Sequence, residues 1–384
     1  MKKVSVKLKG AAHRYEIKIG GDLLENCGVW AQKCFSGKSK KVVLISNKKV
    51  FGLYGETIAE SLRKQNFEVS VWLMNDGEKY KNLRVLERAL QFAGEKKLKR
   101  TDGIVALGGG VVGDLAGFAA AIYLRGIAFL QIPTTLLSMI DSSVGGKTGV
   151  NTDFGKNLIG AFHQPNGVLI DVETLKTLPR REIAAGFCEA VKQGAIASRQ
   201  LFNQTADFLE KFPVKNFKKQ FQNKIFIDAL ENLLAAQIVF KAEIVMQDER
   251  EDAVRRDAKS RKILNFGHTV AHALEKVTDY KYFKHGEAVG YGILVAGEIG
   301  KSAGIFDENE LNLLNDVLLR VGNLPDTRNI NPEQVFEAFS YDKKIIGNSL
   351  QWILLEEIGK PKIVQAEDLP ESIIKKALKK VLQS

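Results

Sequence analysis

The sequence predicts an α/β fold: a helix-covered parallel sheet in the first half of the chain and a mostly α-helical second half. Two observations carry this. Short β-branched runs alternate with helical patterns up to about residue 170, and from about Arg180 the apolar residues recur at mainly helical spacing. Length agrees, since 384 residues is long for one core and comfortable for two. The boundary is expected near Asp171–Leu178, giving domains 1–175 and 176–384.

The elements follow in order. Met1 to Leu8 alternates like a strand and lacks the apolar stretch of a signal peptide. Lys41–Ser46 reads as a buried strand followed by a helix over Glu56–Gln65. Glu68–Leu73 is a second strand, and Asn82–Lys97 has helical periodicity. Gly103–Leu107 leads into glycines, and Ala128–Ile132 closes this part of the sheet. Helices are then predicted over Arg180–Ala197, Phe217–Val245, Gly267–Thr278, Gly286–Ala303, Glu308–Val321 and Pro332–Phe339. Two segments, Asp248–Ile263 and Leu350–Val364, read as strands or hairpins. Lys375, Lys376, Lys379 and Lys380 fit the solvated face of a last helix.

Composition narrows the class. Hydrophobic content of 45% with 26% charged residues excludes disorder. The apolar region from Gly103 to Ile132 carries Asp114, Arg125 and several glycines, whereas a membrane span needs about 20 mostly apolar residues. Three cysteines without a CxxC pair give no disulfide framework, so a reducing cytoplasm is expected. The net charge of +11 is spread along the chain, and no basic run is interleaved with aromatics. Anionic small ligands fit it better than nucleic acid, and no membrane partner is expected.

Gly108-Gly109-Gly110-Val111-Val112-Gly113-Asp114 follows a strand and precedes a helix-forming run. Glycines there let the backbone approach a ligand, and the helix start offers free N–H groups to phosphate. Tight-turn glycines are the bland alternative. Asn47, and Gly77-Glu78 with Lys81, also follow strands, where nucleotide crevices form. Asp141-Ser142-Ser143-Val144-Gly145-Gly146-Lys147-Thr148, with Lys156-Asn157 beyond it, suits an anion-binding loop. It is not a P-loop, because Asp141 stands where the first glycine belongs.

Metal ligation is suggested by His268 and His272 one helical turn apart, by His285-Gly286-Glu287, and by Glu189 with Lys192 on another helix. Only five histidines exist in the chain and three fall within this short stretch. Spacing alone leaves open which of them ligate, and helix-surface or core histidines are the alternative.

These motifs, in this order over nearly the whole chain, resemble those of the 3-dehydroquinate synthases. The matching residues run from Gly77-Glu78 through the glycine loop, Arg125-Gly126, Pro133-Thr134-Thr135 and the Asp141–Thr148 loop. They continue through Lys156-Asn157, Glu189 with Lys192, the Asn265–Glu275 helix start, His285-Gly286-Glu287 and Asp342-Lys343-Lys344. The resemblance implies a Rossmann-like NAD-binding N-terminal domain and a helical metal-binding C-terminal domain, with the active site between them. It implies metal ligation, by zinc or cobalt, through Glu189, His268 and His285. NAD contacts would be Asn47, Glu78, Lys81, Gly109, Gly110, Val111, Asp114, Thr134, Thr135 and Thr177, together with Lys147 and Lys156. Substrate contacts would be Arg125, Asp141, Lys147, Lys156, Asn157, Lys192, Lys241, Arg261, Asn265 and His272, with Lys343 or Lys344.

The implied reaction is part of the shikimate pathway to aromatic amino acids. It converts 3-deoxy-D-arabino-heptulosonate 7-phosphate to 3-dehydroquinate and phosphate through transient oxidation, elimination, re-reduction and aldol closure, with the substrate phosphate acting as its own base. The family also suggests a homodimer. Rival readings are another sugar phosphate cyclase, a metal-dependent alcohol or glycerol dehydrogenase, and a non-enzymatic dinucleotide sensor. Two departures stand out. About six extra residues lie between Lys241 and Arg261, so that Arg255 or Arg256 competes with Arg261. Cys188 and Gln193 flank Glu189 and Lys192 and are expected to be packing residues.

Overall fold

The computed structural model describes residues 14–252, 254–346 and 351–383, with backbone alone over 340–346. Six parallel strands form the main sheet: β1 (Glu16–Gly20), β2 (Lys41–Asn47), β3 (Glu68–Met74), β4 (Gly103–Gly108), β5 (Ala128–Pro133) and β8 (Gly167–Asp171). Their spatial order is β1-β8-β5-β4-β2-β3. The order reverses between β2 and β4, and such a switch point opens a crevice at the strands' carboxyl ends.

The near-continuous apolar strands reflect burial on both faces. Val42 and Leu44 of β2 pack with the helices Cys27–Cys34 and Glu56–Lys64. Val43 and Ile45 point the other way, toward Leu83–Glu95 and Gly110–Ile122. This period of two sandwiches the sheet between helical layers. An antiparallel hairpin, β6 (Lys147–Thr152) and β7 (Gly155–Phe162), branches off before β8.

From Arg180 onward the chain is helical, apart from the hairpin of β9 (Gln351–Glu357) and β10 (Lys360–Gln365). Helices cover Arg180–Ala197, Arg199–Lys211, Lys224–Gln247, His268–Val277, His285–Ser302, Glu308–Arg320, Pro332–Ile346 and Glu371–Leu382. Among the described residues no helix is long and apolar enough to cross a membrane.

Several expectations change. The strand predicted over Met1–Leu8 lies outside the described residues, and the first described strand is Glu16–Gly20. The single helix predicted over Phe217–Val245 is divided: a 3-10 segment, Val214–Gln222, precedes the long helix. Asn223 breaks the run, and its side chain caps the second helix by accepting from the Ile225 N–H at 3.0 Å. No strand lies among the described residues of Asp248–Ile263, which turn and then enter the 3-10 segment Arg261–Asn265. The segment is organised by the Asp248 carboxylate, which accepts from the backbone N–H of Asp252 (2.7 Å) and of Arg261 (2.8 Å).

Candidate active site

The glycine loop stands at the carboxyl end of β4. Gly108 has φ +159°, and a Cβ there would lie 2.8 Å from Val112. The 13-residue helix Gly110–Ile122 starts just beyond, so its unpaired N–H groups face outward over the sheet. A cleft of about 550 Å³ opens there. It is lined by Asn47, Glu78, Lys81, Gly109, Gly110, Val111, Asp114, Thr134, Thr135 and Thr177. Every backbone or side-chain group assigned to NAD alone by the resemblance is thus on one surface.

These groups are held in place. Asn47 accepts from the Val50 N–H at 2.9 Å and donates to Asp76 at 3.2 Å. Glu78 accepts from Asn151 at 2.8 Å. Lys81 is 4% exposed, and its ammonium lies 2.5 Å from both Asp114 and Asn157. Burial lowers the Lys81 pKa, but the charges of Asp114 and Glu78 outweigh it, so this lysine is held above its ordinary value.

Across the cleft, three helices present one cluster. Glu189 lies mid-way along Arg180–Ala197 and is 0% exposed. His268 opens its helix after Gly267 (φ +79°), and His285 opens the next. Their ligand atoms all lie within 4.8 Å of one another. Nε2 of His268 is 3.9 Å, and Nε2 of His285 is 3.7 Å, from Glu189 Oε1. Both rings have Nδ1 at a backbone or carboxylate oxygen: His268 at Phe266 O (3.2 Å) and His285 at Glu275 Oε2 (3.3 Å). Donation from Nδ1 leaves both Nε2 lone pairs directed at the carboxylate.

This donor set fits a divalent cation. Glu189 has two buried carboxylate oxygens, and neither accepts a hydrogen bond. Lys192 Nζ is 2.6 Å from Oε2, an ion pair without hydrogen-bond geometry. Lys192 compensates Oε2, while Oε1, buried and facing the two Nε2 atoms, has no donor and is open to a cation. Burial, then Lys192 and the two neighbouring histidines, keeps the His268 imidazole well below its ordinary pKa, which favours the neutral, ligating form. Three protein ligands also leave room for substrate oxygens.

Small residues bring these helices together. A Cβ on Gly286 would fall 1.9 Å from the Ala185 carbonyl oxygen, and one on Gly292 would fall 1.9 Å from that of Gly267. Gly286→Ala is therefore expected to push the His285 helix from the Glu189 helix. The overpacking should cost about 2 kcal/mol, and zinc affinity should fall with it. Urea unfolding and zinc titration check both effects; an unchanged midpoint would refute the close packing.

The residues that the resemblance assigns to substrate are grouped less evenly. Asp141, Lys156, Asn157 and His272 line the cleft. Lys192 and Lys241 are buried behind it, at 1% and 5% exposure. Lys241 Nζ lies 2.6 Å from Asp141 Oδ1 and also donates to the Asp141 carbonyl. Burial alone would raise the Asp141 pKa; Lys241, Lys192 and His268 outweigh it and hold it below the usual carboxylate range. Lys147, Arg261 and Asn265 meet beside the Gly145 turn. Arg261 donates to the carbonyls of Gly145 (3.0 Å) and Glu249 (2.9 Å). Lys147 and Asn265 both donate to Glu251.

Arg125 stands apart. It is exposed beyond the far end of the Gly110–Ile122 helix. A 13-residue helix rises about 20 Å, so its two ends cannot both reach the cleft. Within one chain, Arg125 therefore does not line the cleft. Asn157 contacts Lys81 on the nucleotide side. The side chains of Lys343 and Lys344 lie outside the described residues.

Arg255 does not displace Arg261: it pairs with Asp257 at 2.9 Å and donates to Gln247 O, while Arg256 is exposed. Cys188 is buried against Gly290, and Gln193 donates to Ile140 O at 3.1 Å, so both pack as expected. Two site residues escaped sequence reasoning. Glu251 lies in the extra segment, where no pattern marks it. Glu275 was visible, three residues after His272 and on the same helical face.

Family models described as 3-dehydroquinate synthase N-terminal and C-terminal match residues 71–185 and 186–345. A 3-dehydroquinate synthase of Prochlorococcus marinus (strain MIT 9312) is 43% identical over 346 residues, covering 90% of this chain and 91% of that relative. One of Lactococcus lactis subsp. cremoris (strain MG1363) is 39% identical over 365 residues, covering 94% and 98%. Among solved structures, 2-epi-5-epi-valiolone synthase from Streptomyces hygroscopicus subsp. jinggangensis 5008, with NAD+ and Zn2+ bound, superposes with TM-score 0.82 at 25% identity, covering 99% of each chain. A 2-deoxy-scyllo-inosose synthase complexed with carbaglucose-6-phosphate, NAD+ and Co2+ has TM-score 0.78 at 25% identity, covering 95% and 96%. A glycerol dehydrogenase from Schizosaccharomyces pombe shares the fold at TM-score 0.64 and 18% identity, covering 95% and 88%.

Proposed function

The chain belongs to the 3-dehydroquinate synthase family, and from that premise we propose how its own residues carry the reaction. It acts on 3-deoxy-D-arabino-heptulosonate 7-phosphate and yields 3-dehydroquinate and phosphate, with NAD and a divalent metal ion as cofactors. Asn47, Glu78, Lys81, the 109–111 backbone, Asp114, Thr134, Thr135 and Thr177 would hold NAD. Glu189, His268 and His285 would hold the cation. When bound, these groups supply a reversible hydride acceptor and a Lewis acid that makes a secondary alcohol more acidic.

The remaining residues manage charge and position. The substrate carries a carboxylate and a phosphate, and Lys156, Lys192, Lys241, Lys147 and Arg261 offer cationic partners around the cleft. Burial lowers the Lys241 pKa, and Asp141 opposes that drop while fixing the ammonium in place. His272 is exposed on the cleft wall and suited to orienting substrate hydroxyls, and Asn265 donates to Glu251 beside Lys147. No enzymatic carboxylate has to serve as elimination base, because the leaving phosphate can take that proton itself.

One observation supports this reading: the buried Glu189 Oε1, with no hydrogen-bond donor, faces two Nε2 atoms at a cleft also lined by the residues expected for NAD other than Lys147. We further propose a boundary between the two domains near residue 175, a homodimer and a cytoplasmic location. The test is incubation with the heptulosonate phosphate, NAD and zinc or cobalt, following phosphate, dehydroquinate and absorbance at the NADH band. Equal yields of phosphate and dehydroquinate with no net NADH are expected. Accumulating NADH would favour a dehydrogenase, and phosphate release only from another sugar phosphate would favour a different cyclase.

A further inference from the structure

We infer that Glu275 is a positioning residue: its carboxylate fixes the His285 imidazole for metal ligation and tethers Lys156 across the cleft. This rests on the metal site proposed above. Glu275 is 2% exposed, yet it belongs to neither the ligand set nor the substrate set. Each of its oxygens has one partner. Oε2 accepts from His285 Nδ1 at 3.3 Å, and Oε1 accepts from Lys156 Nζ at 2.9 Å.

The first contact decides a tautomer. A neutral imidazole has one N–H, and a carboxylate at Nδ1 places the proton there, leaving Nε2 as a lone pair. That Nε2 is the atom 3.7 Å from Glu189. Without the carboxylate, the ring can rotate or carry its proton on the ligating nitrogen. The second contact joins separate parts of the fold. Lys156 belongs to the β6–β7 hairpin on the sheet side, and its ammonium also lies 4.6 Å from the centre of the Tyr280 ring. One buried carboxylate therefore holds a metal ligand and a cation from the opposing wall. A competing arrangement exists, since His272, Glu275 and His285 also have ligand atoms within 4.8 Å of one another. Direct ligation there would use Glu275 itself, and the Glu275 oxygen nearest His285 faces Nδ1.

The test uses full-length protein stripped of metal and titrated with zinc against a chromophoric chelator of known affinity. Wild type should bind one zinc per chain. Glu275→Gln should bind about 10–100-fold more weakly, and Glu275→Asp, which keeps the charge, should recover most of that loss. Lys156→Met should bind zinc normally, because His285 keeps its partner. Histidine ¹⁵N spectra of the zinc-loaded wild type are simplified by the presence of only five histidines. They should show the His285 ring proton on Nδ1, a readout that needs no variant to fold. Unchanged zinc affinity in Glu275→Gln, or a His285 proton on Nε2 with metal on Nδ1, would overturn the inference. Failure of the underlying metal site looks different: wild type would bind no zinc, or Glu189→Gln would bind it as well as wild type.

Discussion

Glu189→Gln is expected to cut phosphate release by on the order of 10³-fold and to yield protein without tightly held zinc. The amide keeps the shape of the side chain and removes its charge, so two imidazoles are left facing a neutral group. No other described carboxylate lies among the donors of this triad; Glu275 reaches His285 only at Nδ1. The effect should appear in the metal content of the purified variant as well as in turnover. The variant also loses the charge that pairs with buried Lys192, which costs about 3–5 kcal/mol of stability, so metal content is read on the folded fraction. Metal retention near one ion per chain, with turnover within tenfold of wild type, would remove Glu189 from the ligand set.

The second large effect concerns stability. Asp141→Asn leaves Lys241 buried with Lys192 and Arg261 close enough to repel it, and breaking a buried pair on one side costs about 3–5 kcal/mol. Replacing both partners, Asp141→Asn with Lys241→Met, should recover part of that, because no orphan charge remains. The sign with pH follows from the depressed Asp141 pKa. The carboxylate is more acidic folded than unfolded, so its stabilisation is complete above the ordinary value of 3.8 and fades as pH falls through the folded value. Urea midpoints of wild type and Asp141→Asn should therefore differ most at neutral pH and converge in acid. Equal midpoints at pH 7 would mean that the ion pair contributes nothing to the fold.

Much of this was legible in the residues, for identifiable reasons. The strands of the first half are buried on both faces, so each appears as an unbroken apolar run that turns and helices interrupt cleanly. The glycine loop is legible because only residues without a Cβ permit its backbone path; at Gly108 a side chain would strike Val112. A metal cluster is recognisable because histidine is rare in this chain and three fall close together, but only the resemblance set His272 apart and assigned Glu189 as a ligand.

Other features depend on three-dimensional facts that spacing does not carry. Arg125 follows a helix whose start faces the cleft, and only the length of that helix reveals that its end points away. Lys192 and Lys241 are expected at the substrate, yet their ammonium groups are buried against Glu189 and Asp141. The extra segment before Arg261 has neither apolar alternation nor a heptad. Its shape comes from one carboxylate, Asp248, collecting two backbone N–H groups. Glu275 could be placed on the His272 face from sequence, but its two partners, one from the β6–β7 hairpin, appear only once the chain is folded.

The central claim is that Glu189, His268 and His285 enclose one cation opposite the nucleotide wall. X-ray diffraction from crystals grown with NAD and zinc, recorded on both sides of the zinc absorption edge, tests it most directly. One anomalous peak per chain is expected, bonded to a Glu189 oxygen and to Nε2 of both histidines, with the nicotinamide ring beside it. A peak held by His272 and Glu275, or no peak in this cleft, would contradict the account.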